Sequence, residues 1–174
     1  MKVWLGGDIA AWVNDLQRAL PPGTPEHSVD AFVDTWCEVL FRQERLVSLM
    51  PLLSISLERN VSEGNLTEFK LALRDATERI AGILTRVCPT VRGAYVTDFL
   101  NTNLGLVAGL VPIARRTELH DKVLSAPELR YFAVEFEPQF RRSLLLMVRG
   151  MAEARPRGAR PARSSAPGYF TSTE

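Results

Sequence analysis

Apolar residues along this chain recur three and four positions apart and almost nowhere alternate with polar ones, so the pattern predicts helices and no strands. Ile9, Trp12, Val13, Leu16 and Leu20 form the stripe of a first helix, with Asp8 as its N-cap and Pro21-Pro22-Gly23 as its stop. A second helix starts near Pro25, and Val29, Phe32, Val33, Trp36, Leu40 and Phe41 follow the helical period closely. A third, from Leu46 to about Leu57, is apolar nearly all round and therefore central; Pro51 kinks it or sits in its first turn. A long fourth helix, from about Ser62 to Val87, buries Leu66, Phe69, Leu73, Ala76, Ile80 and Ile83 and wets Lys70, Arg74, Asp75, Glu78 and Arg79. Asn60 caps it, with Glu63 reaching back. The fifth runs from about Thr90 to Ala114. Its Gly105 and Gly109 lie four apart, at a cost of up to about 1 kcal/mol each relative to alanine, which points to a close approach by another backbone. Short helices follow at Glu118–Ser125 and from Pro127. A last helix, opened by Pro138 and running to about Ala154, carries the stripe Phe140, Leu144, Leu145, Val148 and Met151.

With 174 residues, 46% of them apolar and 24% charged, the chain has enough apolar material for one globular core and is short for two. The net charge of +1 hides an asymmetry: Arg155, Arg157, Arg160 and Arg163 against Glu174 put +3 on the last twenty residues and leave −2 on the rest. The body of the chain therefore lacks the basic surface of a nucleic-acid binder. Its Pro-, Gly-, Ser- and Arg-rich end, residues 155–174, reads as a disordered basic tail. The start has no apolar signal segment, and the longest apolar run, Leu104 to Ala114, is too short to cross a bilayer, so the chain reads as cytoplasmic with no membrane partner.

Chemistry-bearing patterns are scarce. Cys37 and Cys88 are far apart and fall on apolar faces, as buried free thiols do. His27 and His120 stand alone, without a second residue at metal-ligand spacing or a paired nucleophile. No phosphate-binding loop or hydrolase motif occurs, so no cofactor, metal or catalysis is expected. Asn103 is the informative polar residue: it shares a face of the fifth helix with Phe99 and Tyr95, and a buried amide must find partners in backbone, water or a ligand.

Three segments together are similar to a known family. Leu52 to Ser62 (LLSISLERNVS) with Phe69-Lys70, Leu104 to Ala114 (LGLVAGLVPIA), and Ala126 to Leu129 (APEL) with Phe136-Glu137-Pro138 and Leu144 to Gly150 (LLLMVRG) resemble the C-terminal domain of tetracycline-repressor (TetR) family regulators. The resemblance covers about residues 8–152. It implies an all-α, antiparallel bundle of about six to seven helices that binds a small apolar or amphipathic effector and forms a homodimer. It places the effector among the second to fifth helices, with Trp36, Phe41, Met50, Leu53, Phe69, Tyr95, Phe99 and Asn103 as candidates to line the site. It places the dimer contact on Gly105 and Gly109 and on Phe140, Leu144, Val148 and Met151. Family members also begin with a helix-turn-helix that reads DNA. Here residues 1–7 stand in its place, residues 8–154 form the ligand-binding and dimerisation domain, and DNA is expected to be bound only through an N-terminal domain absent from this chain. Two functions follow from the resemblance: an effector-sensing domain of a regulator, or a headless partner that forms mixed dimers with an intact one.

Overall fold

The computed structural model describes residues 5–22, 26–52, 62–91 and 93–154. Seven α-helices and one 3-10 helix make up this part, and no strand occurs among the described residues. They are α1 (Leu5–Ala19), α2 (Val29–Phe41), α3 (Glu44–Leu52), α4 (Glu63–Val87), α5 (Ala94–Ala114), α6 (Glu118–Leu124), the 3-10 turn Pro127–Phe132 and α7 (Phe136–Glu153).

The caps explain where sequence expectations shift. The first helix begins at Leu5, so Asp8 lies within its first turn, where its charge suits the positive end of the helix dipole. Residues 5–7 are thus helical and part of the bundle. The second helix begins at Val29 because the Ser28 hydroxyl accepts a hydrogen bond from the Ala31 N–H at 3.2 Å; Pro25 lies outside the described residues. The third begins at Glu44 and places Pro51 near its end. The expected Asn60 cap and Leu53 lie outside the described residues, and α4 enters from Ser62 without a side-chain cap. Between α4 and α5 the chain turns on Gly93, whose φ of 56° strains any residue with a Cβ. The last helix starts two residues before Pro138, whose missing N–H falls among the first-turn groups that have no helical partner.

Apolar stripes meet in one core. Val13 and Leu16 of α1, Phe32 and Trp36 of α2, Leu84 and Val87 of α4, Phe99 of α5 and Phe140, Leu144 and Val148 of α7 are wholly buried. The 0–1% exposure of these side chains is what a mutual fit of 3.6-residue stripes produces. α7 lies antiparallel against α2, since Asp30 pairs with Arg149 at 2.9 Å and Asp34 with Arg141 farther along. It also packs against α5. Not every pair is antiparallel. Gly6 lies beside Ala72, Arg79 donates to Asn14 at 2.6 Å, and Arg86 donates to the Leu20 carbonyl at 3.0 Å, so α1 and α4 run the same way. Arg86 thereby satisfies one of the orphan carbonyls at the end of α1. Helices α4 and α5 barely touch each other, which leaves room between them.

The polar tail and the first residues, 155–174 and 1–4, lie outside the described residues. Helix α5 is, over Tyr95–Ala114, long and apolar enough by length and composition to cross a membrane, although its longest uninterrupted apolar run is short. Its Phe99, Asn103, Val107 and Val111 are nevertheless buried in the bundle.

Candidate functional site

The room between α4 and α5 is a cavity of about 340 Å³, within the range of roughly 300–1,000 Å³ usual for small-molecule sites. Five helices line it. Ile9 and Trp12 come from α1, Trp36 and Leu40 from α2, and Met50 from α3. Leu66, Phe69, Lys70, Leu73, Ala76, Thr77 and Ile80 come from α4, and Leu100, Asn101, Asn103, Leu104 and Val107 from α5. Leu73 and Leu104, each more than a third exposed, mark its rim. The interior is mainly hydrocarbon.

Its back wall is an aromatic stack. Trp36 meets Trp12 edge-on at 5.3 Å between ring centroids and Phe99 edge-on at 4.8 Å; Phe32 leans on both Trp36 and Phe99 at 5.9 Å. Asn103 locks this stack. Its Oδ1 accepts from Trp36 Nε1 at 3.0 Å, and its Nδ2 donates to the Phe99 carbonyl at 2.7 Å. With 6% exposure it is the buried polar residue among those described, and both bonds compensate its desolvation.

Of the residues singled out from the sequence, Trp36, Met50, Phe69 and Asn103 stand together on this wall. Phe99 lies behind it, wholly buried against Trp36. Tyr95 sits about 12 Å up the helix from Asn103 and donates from its hydroxyl to the Ala154 carbonyl at 3.4 Å, away from the cavity. Phe41 turns the other way, packing on Phe136 and Phe140 in a groove of about 490 Å³. That groove is wide open and edged by Glu44, Arg115, Arg116, Glu135 and Glu137, a solvated surface rather than an enclosed apolar site. Leu53 lies outside the described residues. Trp12, Lys70, Ala76 and Leu104 were not singled out. Trp12 and Ala76 read as ordinary core stripe, and Lys70 as wet face. Only the gap between α4 and α5 turns these positions into cavity wall.

The expected dimer contact needs correction. Phe140, Leu144 and Val148 are wholly buried within one chain and have no surface left for a partner. The stripe of α7 is spent on α2 and α5. Met151 is half-buried against the same core. Gly105 and Gly109 are exposed, and among the described residues a Cβ at either would meet nothing within 4 Å, so no described backbone approaches them.

Both thiols are buried, and neither is placed to react. Burial pushes Cys37 up to about 12, partly offset by Arg141, and it also raises Cys88. A thiol whose folded-state value is raised stabilises the fold below its unfolded value, near pH 9, and this contribution is lost as pH climbs toward 12. Stability above pH 9 should therefore fall with a Cys37 component approaching about 1.4 kcal/mol per pH unit, and Cys37→Ala should flatten that limb in urea melts. At pH 8 a thiol reagent should find both cysteines only after unfolding. Prompt reaction in the native state would contradict their burial.

A comparison with family profiles matches residues 7–155 to the family described as tetracyclin repressor-like, C-terminal domain. No match was found among curated proteins. The described residues form an all-helical bundle with a mainly apolar cavity. The match spans most of the chain, and the protein belongs to the TetR-like C-terminal domain family.

Proposed function

We propose that this chain is the effector-sensing and self-associating part of a TetR-type regulator, with the cavity between α1, α2, α3, α4 and α5 as its effector site. The observation that carries this reading is the preformed, mainly apolar cavity of about 340 Å³, which the bundle leaves unfilled next to the hydrogen-bonded Trp36–Asn103 pair. A large void in a packed core forfeits dispersion contacts, and a ligand that fills it recovers them. Because α1 supplies Ile9 and Trp12 to the wall, an effector there bears directly on the first helix of the bundle. In a regulator that carries a DNA-reading head, this coupling would alter operator affinity.

Self-association falls to the outer sides of α5 and α7, which pack together. On α5 the exposed Gly105, Gly109 and Ile113 leave a low apolar surface; on α7 Leu146 is 65% exposed. An isologous pair would bury these positions twice.

The test is saturable binding of the neutral fluorescent probe N-phenyl-1-naphthylamine. One site per chain is expected. Ala76→Trp, which fills the cavity from α4, should abolish binding while leaving helicity unchanged. Absence of saturable binding to the unaltered protein would sink the effector-site reading.

A further inference from the structure

The segment that joins α5 to α7 is folded without a core of its own. Thr117 caps α6, its hydroxyl accepting from the His120 N–H at 3.3 Å. Ser125 Oγ donates to the Lys122 carbonyl at 2.7 Å, and Arg116 pairs with Asp121 at 3.3 Å. These bonds shape α6 and the 3-10 turn that follows it, yet neither element holds a buried residue. α6 packs on the 3-10 turn and only marginally on any other described element. With seven residues it is unstable in water by itself, since helices shorter than about 12–15 residues take their stability from tertiary packing. The side chains that such packing would use are exposed: Leu119 by 70%, Tyr131 by 76% and Phe132 by 55%, with Val123 one turn after Leu119 on the same face. Ten large apolar side chains are exposed among the described residues, and six of them are these four, Ile113 just before the segment and Leu146 on α7. Scattered singly they would need no explanation; gathered on consecutive elements they mark a contact surface.

Resting on the reading that the outer sides of α5 and α7 self-associate, we infer that this arm, residues 117–133, clasps a second copy of the chain and supplies much of the interface. Three observations name that occupant. The arm leaves α5 right after Ile113 and returns at the start of α7, so it continues the face that the partner copy covers. Ile113 and Leu146 alone offer well under half of the roughly 800 Å² that a stable pair takes from each partner, and the arm's two aromatic rings, Leu119 and Val123 bring the surface to about that amount. Charge points the same way. Glu118, Asp121 and Glu128 against Lys122 and Arg130 leave the arm close to neutral, so it lacks the basic face with which a helix holds an anionic membrane or a nucleic acid. In a two-fold pair each arm reaches the other copy, and every contact occurs twice.

Tyr131→Ser combined with Phe132→Ser removes both rings without adding charge. Both side chains are mainly exposed, so helicity and the binding of N-phenyl-1-naphthylamine should be unchanged. In sedimentation equilibrium of the full chain, the unaltered protein should be a dimer. The double variant should associate at least about a hundredfold more weakly, since four rings leave each pair. Hydrogen exchange supplies a readout that needs no variant: where the dimer forms, the amides of α6 should exchange more slowly than in the dilute monomer. A dimer that tolerates the loss of both rings, or an α6 that exchanges equally fast in dimer and monomer, would overturn the arm contact and leave α5 and α7 as the interface. An unaltered chain that stays monomeric at millimolar concentration would overturn both. Binding of the chain to vesicles of phosphatidylcholine and phosphatidylglycerol, lost in the double variant, would assign the arm to a membrane and equally overturn the inference.

Discussion

Trp36→Ala should cost about 3–5 kcal/mol of stability, the largest loss expected from any single truncation in the bundle. The side chain is wholly buried, and three aromatic neighbours, Trp12, Phe32 and Phe99, stand against it. Its removal leaves a void continuous with the existing cavity, so the surroundings have no close wall to collapse onto. It also strips Asn103 Oδ1 of its donor and leaves that oxygen buried. Urea or thermal unfolding followed by circular dichroism measures the loss. At this chain length it corresponds to a fall in melting temperature of at least about 6 °C. Trp36→Phe separates the two contributions, since it keeps most of the ring packing and loses the hydrogen bond, with an expected cost of about 1–3 kcal/mol. A loss below 1 kcal/mol for Trp36→Ala would mean that the aromatic wall is not the centre of the core.

The second large effect separates the inner from the outer face of α7. Leu144→Asp places a carboxylate where the structure leaves no solvent, and should unfold the chain or nearly so. Leu146→Asp, two residues on, sits on a side chain that is 65% exposed and should leave helicity and monomer stability almost untouched. If the outer faces of α5 and α7 join two copies, Leu146→Asp combined with Ile113→Asp weakens that association at least about a hundredfold, because each copy buries two charges in place of two apolar groups. Sedimentation equilibrium distinguishes the outcomes. A double variant that stays dimeric would remove this face from the interface. A Leu144→Asp chain that stays folded would contradict the placement of α7.

Much of the fold was legible from spacing alone, because an amphipathic stripe is a local property of the chain. The stripes of α1, α2 and α7 and the second half of the α4 stripe, Ala76, Ile80 and Ile83, lie where the structure buries apolar residues, whereas Leu73, expected to be buried, is exposed; the helix stops near Leu20 and Val87 fall at prolines that cannot continue a helix. The three quoted segments sufficed to indicate the family, which the match over residues 7–155 shows. Boundaries shifted where capping decided them. Ser28, rather than Pro25, governs the entry to α2, since a hydroxyl that satisfies a free N–H outweighs a permissive proline.

The site was legible only in part. Trp36 and Asn103 were each noticed, as an aromatic and an amide on apolar faces, but their mutual hydrogen bond joins positions 67 residues apart and no spacing rule reaches that far. Phe41 and Tyr95 were misplaced because periodicity gives a face and not the neighbour that covers it; both point at α7. The same limit misassigned Phe140, Leu144 and Val148. A stripe is apolar whether it meets its own chain or a partner, and only the packing of α7 onto α2 and α5 settled which.

What the sequence by itself determined is the helical class, the number and rough extent of the helices, the family and the presence of an apolar interior. These depend on contacts a few residues apart or on recurring local motifs. The tertiary structure decided that α4 stands off from α5, that the gap becomes a cavity, and that Trp12 and Trp36 stand on its wall. Those facts depend on how long helices are placed by contacts elsewhere, α4 by α1 and α5 by α3 and α7, and a cavity is the volume that such independent placements fail to close.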